Sequence, residues 1–207
     1  MRKKSHISLA KFLLNNMKVV DLSEHKKSFY VGSILPDLKF SFITKKHNID
    51  ETFDTLIEEI KKVTVDYDVN KGINRYYARH LGVITHYLAD YCTYPHNSNY
   101  TGTMTDHVYY EKELKFSLKE YVNLDKAQKD REEYRTTQSP DEIIQFIIRT
   151  HKEYQKALKA VKEDIKYIVY LCHKVVDAIL WFFELAYEKI NPDITLSKKI
   201  RFGFIHA

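Results

Sequence analysis

Between Asn74 and Tyr94 the chain reads as one helix, stopped by Pro95. Within and just past it lies THYLADYCTYPHN, residues 85–97, with His86 and Asp90 four positions apart and His96 just past the proline. Successive helical residues turn by about 100°, so residues four apart share a face. An imidazole and a carboxylate are costly to bury, so a fold that encloses this helix must give them partners. The next helical stretch, HVYYE, repeats the arrangement with His107 and Glu111. Either pair alone is an ordinary helix-surface pair. Together, HxxxD, then His96, then HxxxE is a metal-binding pattern. Zinc takes imidazole nitrogen and carboxylate oxygen at about 2.0–2.2 Å, and a helix holds both donors in place.

The rest of the chain supplies helices to pack around this one. Only 5 Gly and 4 Pro occur in 207 residues, so breaks are few. Six helical segments are expected. The first covers roughly 7–19, with Leu9, Phe12, Leu13 and Met17 at helical spacing. The segment SFYVGSILPDLKFSF reads as a helix end entering a buried loop at Pro36. The second helix opens near Asp50 as N-cap, with Phe53, Leu56, Ile57 and Ile60 on one side. The third is the helix above. A polar loop, residues 97–106, leads to a fourth helix after Asp106. A charged stretch, 125–138, is expected at the surface. Ser139-Pro140-Asp141-Glu142 then opens a fifth, with serine as cap and acids against the dipole. The sixth runs roughly 163–190 and stops before Pro192. With no internal repeat or low-complexity linker, residues 1–207 read as one all-α domain, a single helical bundle.

The most apolar segment, Ile165 to Tyr187, is interrupted by Lys166, His173, Lys174, Asp177 and Glu184, which excludes a membrane span. The start carries a basic tip but no long apolar stretch or small-residue cleavage site, so a cytoplasmic location is expected. Cys92 and Cys172 lie far apart in apolar, helix-like surroundings and read as buried free thiols. A formal charge of +5 mildly favours an anionic partner, although Lys and Glu are intermixed along the chain.

These residues resemble the zinc-dependent phospholipase C family, itself similar in fold to the single-strand-specific zinc nucleases. GVITHYLADYCTYPHN is similar to that family's central helix, and HVYYE to its following HxxxE helix. Upstream, FYVGSILPDL resembles its glycine-then-Pro-Asp segment, KKHNIDET its next histidine, and SHISLAKFL its N-terminal histidine helix. The likeness covers about the first 115 residues. It implies an all-α bundle with a multinuclear zinc cleft. One zinc would be held by Asp37, His47, His86 and Asp90, a second by His96, His107 and Glu111, and a third by His6 and Asp90, so that Asp90 bridges. It also implies a metal-bound hydroxide as nucleophile on a phosphodiester, with Asp37 assisting as a base. Family chains begin, when mature, with a tryptophan whose amine and carbonyl bind the third zinc. Here Met1 comes first and the single tryptophan is Trp181, so two or three ions are expected.

The expected substrate is a phosphoester, with a phospholipid headgroup and transient contact with a membrane surface as the family suggests. Two other functions compete: a zinc nuclease or nucleotidase on the same scaffold, and an inactive metal-binding helical protein. The remaining histidines read as structural. His25 and His151 are expected at the surface, His80 on a different helix face from His86, His173 in the core, and His206 in the tail.

Overall fold

The computed structural model describes residues 1–17, 19–38, 47–123 and 139–192. Among them are eight α-helices, three short 3₁₀ turns and no strand. The helices are α1 (Lys3–Met17), α2 (Val20–Glu24), α3 (Lys26–Ile34), α4 (Ile49–Lys62), α5 (Arg75–Tyr91), α6 (Met104–Val122), α7 (Pro140–Lys156) and α8 (Val161–Ile190). The 3₁₀ turns span Pro36–Leu38, Val69–Lys71 and Tyr94–His96. None of these helices is long and apolar enough to cross a membrane.

The helix starts follow local capping chemistry. Asn74 caps α5 by accepting hydrogen bonds from the backbone N–H groups of Tyr76 and Tyr77. Ser139 caps α7 as its sequence predicts. Two starts differ from expectation. Asn48, not Asp50, caps α4, accepting from Glu51 N at 2.9 Å, and Asp50 lies in the first turn, where it faces the dipole. Helix α6 begins at Met104 because Thr103 and Asp106 form a reciprocal capping box. Asp106 therefore sits inside the helix rather than before it. Helix α1 also begins earlier than its apolar spacing suggests, which places His6 within it. The segment around Phe29 forms a helix of its own, α3, before Pro36 turns the chain. Residues 125–138 and His206 lie outside the described residues.

Helix α5 is the axis of the bundle. Every residue from Leu81 to Tyr91 is buried, so it is enclosed on all sides. Its most extensive pairing is with α3. Two glycines permit that approach. A Cβ on Gly32 would meet Arg79 O at 2.0 Å, and one on Gly82 would meet Phe29 O at 2.2 Å. Both obstacles are backbone, which cannot swing aside. The apolar cluster around this axis runs from Met1 through Leu13, Leu56, Leu88 and Leu118 to Ile179 and Phe183, joining helices from both halves of the sequence. Both cysteines are buried free thiols within it.

Candidate metal centre

Burial gives the first indication of a site. His6, His86 and Asp90 are at most 1% exposed, at the heart of an apolar bundle. Such groups persist there only with compensating partners.

The two pairs anticipated from helical spacing fall into two groups. Asp37, His47, His86 and Asp90 each offer one ligand atom within 4.8 Å of the others, as do His96, His107 and Glu111. In the first group His86 Nε2 lies 3.0 Å from His47 Nδ1, 3.3 Å from Asp90 Oδ2 and 3.7 Å from Asp37 Oδ1. His47 Nδ1 is 3.3 Å from Asp90 Oδ2 and 3.7 Å from Asp37 Oδ1. Four ligands at about 2.0–2.1 Å from a zinc ion stand about 3.3–3.4 Å apart in a tetrahedron. The donor spacing fits that cage.

Orientation of the ring comes from outside the cage. His86 Nδ1 donates to the carbonyl of Ser33 at 2.9 Å, which fixes the tautomer and leaves the Nε2 lone pair facing inward. Asp37 is delivered by the 3₁₀ turn after α3, and His47 by the residue before the α4 cap.

In the second group Glu111 Oε1 lies 3.3 Å from His96 Nε2 and 3.4 Å from His107 Nε2. His107 and Glu111 come from consecutive turns of α6, and His96 from the 3₁₀ turn that Pro95 initiates. Tyr100 packs at 6.1 Å, ring to ring, against His107, so the expected polar loop does border this group.

Asp90 joins the two groups. Its Oδ2 faces His47 and His86, whereas its Oδ1 lies 3.3 Å from His6 Nε2 and 2.7 Å from the Met1 amine. That amine is also 2.8 Å from His96 Nε2 and 3.2 Å from Glu111 Oε1. A positive group thus sits where two carboxylates converge, and the locus favours a cation. Both ring nitrogens of His6 are buried without a hydrogen bond, although the ring stacks on His86 at 4.0 Å. A buried imidazole whose Nε2 faces a carboxylate oxygen without a hydrogen bond between them is placed as a metal donor would be.

The electrostatics keep the donors ready. Burial, reinforced by the neighbouring His86, lowers the His6 pKa to about 3, which leaves its lone pair free at neutral pH. Burial, then the Met1 amine, likewise lowers His96. Burial alone would raise Asp90, but the amine, His96, His86 and His6 outweigh it and hold the carboxyl well below its usual range. Burial is also opposed at Glu111, where hydrogen bonds from His107 and His96 lower the pKa. Asp37 goes the other way: burial raises it, with His86 offsetting only part.

A profile of the zinc-dependent phospholipase C family matches residues 5–161. The chain belongs to that family. No curated protein and no solved structure matches. The family match extends beyond the roughly 115 residues that carry the quoted motifs, through α7 to the start of α8.

Behind the second group lies a support that the sequence motifs do not mark. Asp164, fully buried in the first turn of α8, accepts three hydrogen bonds at 2.8 Å, from Tyr94 N, Tyr110 Oη and Tyr154 Oη. It ties down the turn that carries His96 and the neighbour of Glu111. An acid in a first turn reads as dipole compensation, so nothing in the sequence separates it from Glu163.

The remaining histidines divide. His80 pairs with Glu59, away from the cage, as its helix face predicts. His173 is buried, and His25 is half-buried between α2 and α3. His151 departs from expectation: it is 4% exposed, because α7 turns that face onto Tyr91 of the central helix.

Proposed function

We propose that this protein is a zinc-dependent phosphodiester hydrolase of the phospholipase C type, holding two or three zinc ions. Asp37, His47, His86 and Asp90 would hold one ion, His96, His107 and Glu111 a second, and His6 with Asp90 a third. The single observation that carries this reading is the buried Asp90, whose two oxygens face different sets of histidines at 3.3 Å. Zinc held there supplies Lewis-acid polarisation of a phosphoryl oxygen and a lowered pKa for water.

The chain's own residues provide the rest. The second group has three protein ligands and so leaves a coordination position open to water or substrate, the usual arrangement in catalytic zinc sites. Asp37, raised by burial, is placed to take up a proton at a carboxylate oxygen. Tyr100 and the loop before α6 border the second group and would flank a bound phosphoester. His86, held by Ser33, and His96, held through Tyr94 and Asp164, need no reorganisation to bind.

Elemental analysis combined with hydrolysis of bis(p-nitrophenyl) phosphate tests the reading. Wild-type protein is expected to carry two or three zinc ions per chain and to release nitrophenol. Asp90→Ala should lose at least one zinc and the activity. Unchanged metal content and turnover in that variant would overturn the assignment.

A further inference from the structure

Outside the metal centre, the outer faces of α1 and α6 enclose a groove of about 500 Å³. It is lined by Lys3, Lys4, Lys115 and Lys119 together with Ile7, Ser8 and Phe116. No acidic residue lines it, and none of the four lysines is in an ion pair among the described residues. The exposed face of α6 continues the apolar component beyond the groove. Met104, Val108, Tyr109 and Phe116 are 76%, 47%, 64% and 56% exposed. These side chains share the exposed side of α6 with Lys112, Lys115 and Lys119 and with Glu113 and Glu120, while the groove itself carries lysine alone among charged residues.

We propose that this lysine-walled face of α1 and α6 docks the protein on an anionic lipid surface. Lysine stems can lie along apolar material while their ammonium groups meet phosphate, and a protruding Phe, Tyr or Met enters the boundary between headgroup and acyl chain. The negative potential of such a surface attracts clustered lysines. Nucleic acid fits less well. A single-strand groove presents several open aromatic faces for bases, whereas Phe116 is the lone aromatic lining this one, and Lys115 Nζ sits 4.7 Å over its ring. Placement links the surface to the metal centre. Phe116 is five residues from Glu111 on α6, about 7.5 Å along the axis, and Lys3 is three from His6 on α1, about 4.5 Å. Docking would bring lipid headgroups alongside those two helices, and in this respect the inference builds on the phosphodiesterase reading.

The test uses full-length protein and co-sedimentation with vesicles of phosphatidylcholine alone or with phosphatidylserine added. Wild type should bind the mixed vesicles, and more weakly as salt rises. The double variant Lys115→Glu/Lys119→Glu should bind at least about 25-fold more weakly, from roughly fivefold per lysine. Phe116→Ser should weaken binding with little change in its salt dependence. Both variants should keep wild-type melting temperature, zinc content and hydrolysis of the soluble nitrophenyl substrate. Equal binding of both vesicle types, or charge-reversal variants that still sediment like wild type, would overturn the docking surface. So would loss of single-stranded oligonucleotide binding in the double variant with vesicle binding unchanged. Lack of zinc or of soluble-substrate turnover in wild type would sink the catalytic reading while leaving vesicle binding as a separate result.

Discussion

Gly82→Ala is a small change with a calculable consequence. The new Cβ would lie 2.2 Å from Phe29 O and 2.9 Å from Ser33 N, where ordinary contact begins near 3.4 Å. Helices α3 and α5 must therefore separate by about 1.2 Å, the difference between 2.2 and 3.4 Å. Both neighbours are backbone, so rotamer changes give no relief. Overpacking of this kind costs about 1–3 kcal/mol, and a backbone obstacle at 2.2 Å sets the cost near the upper end, above the ~1 kcal/mol that alanine gains over glycine in a helix. A net loss of about 2 kcal/mol lowers the melting temperature by roughly 4–8 °C in a chain of this size. The metal centre should register the change as well. Opening along the Ser33 O to His86 Nδ1 direction would stretch that 2.9 Å bond to about 4.1 Å, beyond hydrogen-bonding range. Loss of such an orienting partner typically weakens metal binding about 10–100-fold. Thermal melting of metal-free protein followed by zinc titration against a chromophoric chelator reads both effects. Gly32→Ala, whose Cβ would meet Arg79 O at 2.0 Å, should behave alike. A Gly82→Ala protein that melts no lower and binds zinc as tightly as wild type would refute the claim that this contact sets the site.

Other substitutions probe the supports around the centre. Asp164→Ala leaves the buried Tyr154 hydroxyl and two half-buried donors, Tyr94 N and Tyr110 Oη, without their acceptor, and at about 1–3 kcal/mol for the buried group and less for the other two should lower the melting temperature by about 5 °C or more. Asp164→Asn keeps an acceptor for Tyr94 and Tyr110, and its amide can donate to Tyr154 Oη, so it should fold well while changing the pH profile. Burial pushes Asp164 up to about 6 from 3.8, so the folded state holds a proton the unfolded chain has released, and this group's contribution to stability falls as pH rises from 4 to 6. Equilibrium unfolding across that range should show a shallower fall in the Asn variant; identical slopes would count against it. His80→Ala should leave zinc content intact in elemental analysis, since its partner is Glu59 and not the cage; loss of metal would show that the helix-face argument fails. Cys92 and Cys172, buried with thiol pKa values pushed up by burial, should react with a thiol reagent only after denaturation.

Much of the site was legible because its donors sit at helical spacings. His86 with Asp90 and His107 with Glu111 are separated by one helical turn, and geometry along a single helix follows from local sequence. The capping of α7 by Ser139 is local too and follows from its sequence, as does the start of α5 near Asn74. Where two cap candidates adjoin, as at Asn48 and Asp50, sequence does not rank them; the choice falls to whichever side chain reaches the free backbone N–H of the first turn. His151 was misplaced because a polar-looking helix face can still be covered by a neighbour whose position is not encoded nearby.

By itself, the sequence determined six of the eight described helices, α1 and α4 to α8, and the donors that α5 and α6 carry, since helix formation and i, i+4 proximity depend on residues within a few positions of one another; the short α2 and α3 did not stand out in it. Tertiary structure alone decided that Asp90 would face two histidine groups at once, that Ser33 would orient His86, and that Asp164 would anchor the His96 turn from 68 residues away in sequence. Those relations arise between helices. They depend on how closely α3 can approach α5 and on where α8 lies against α6, and such distances are set only when the apolar faces pack together.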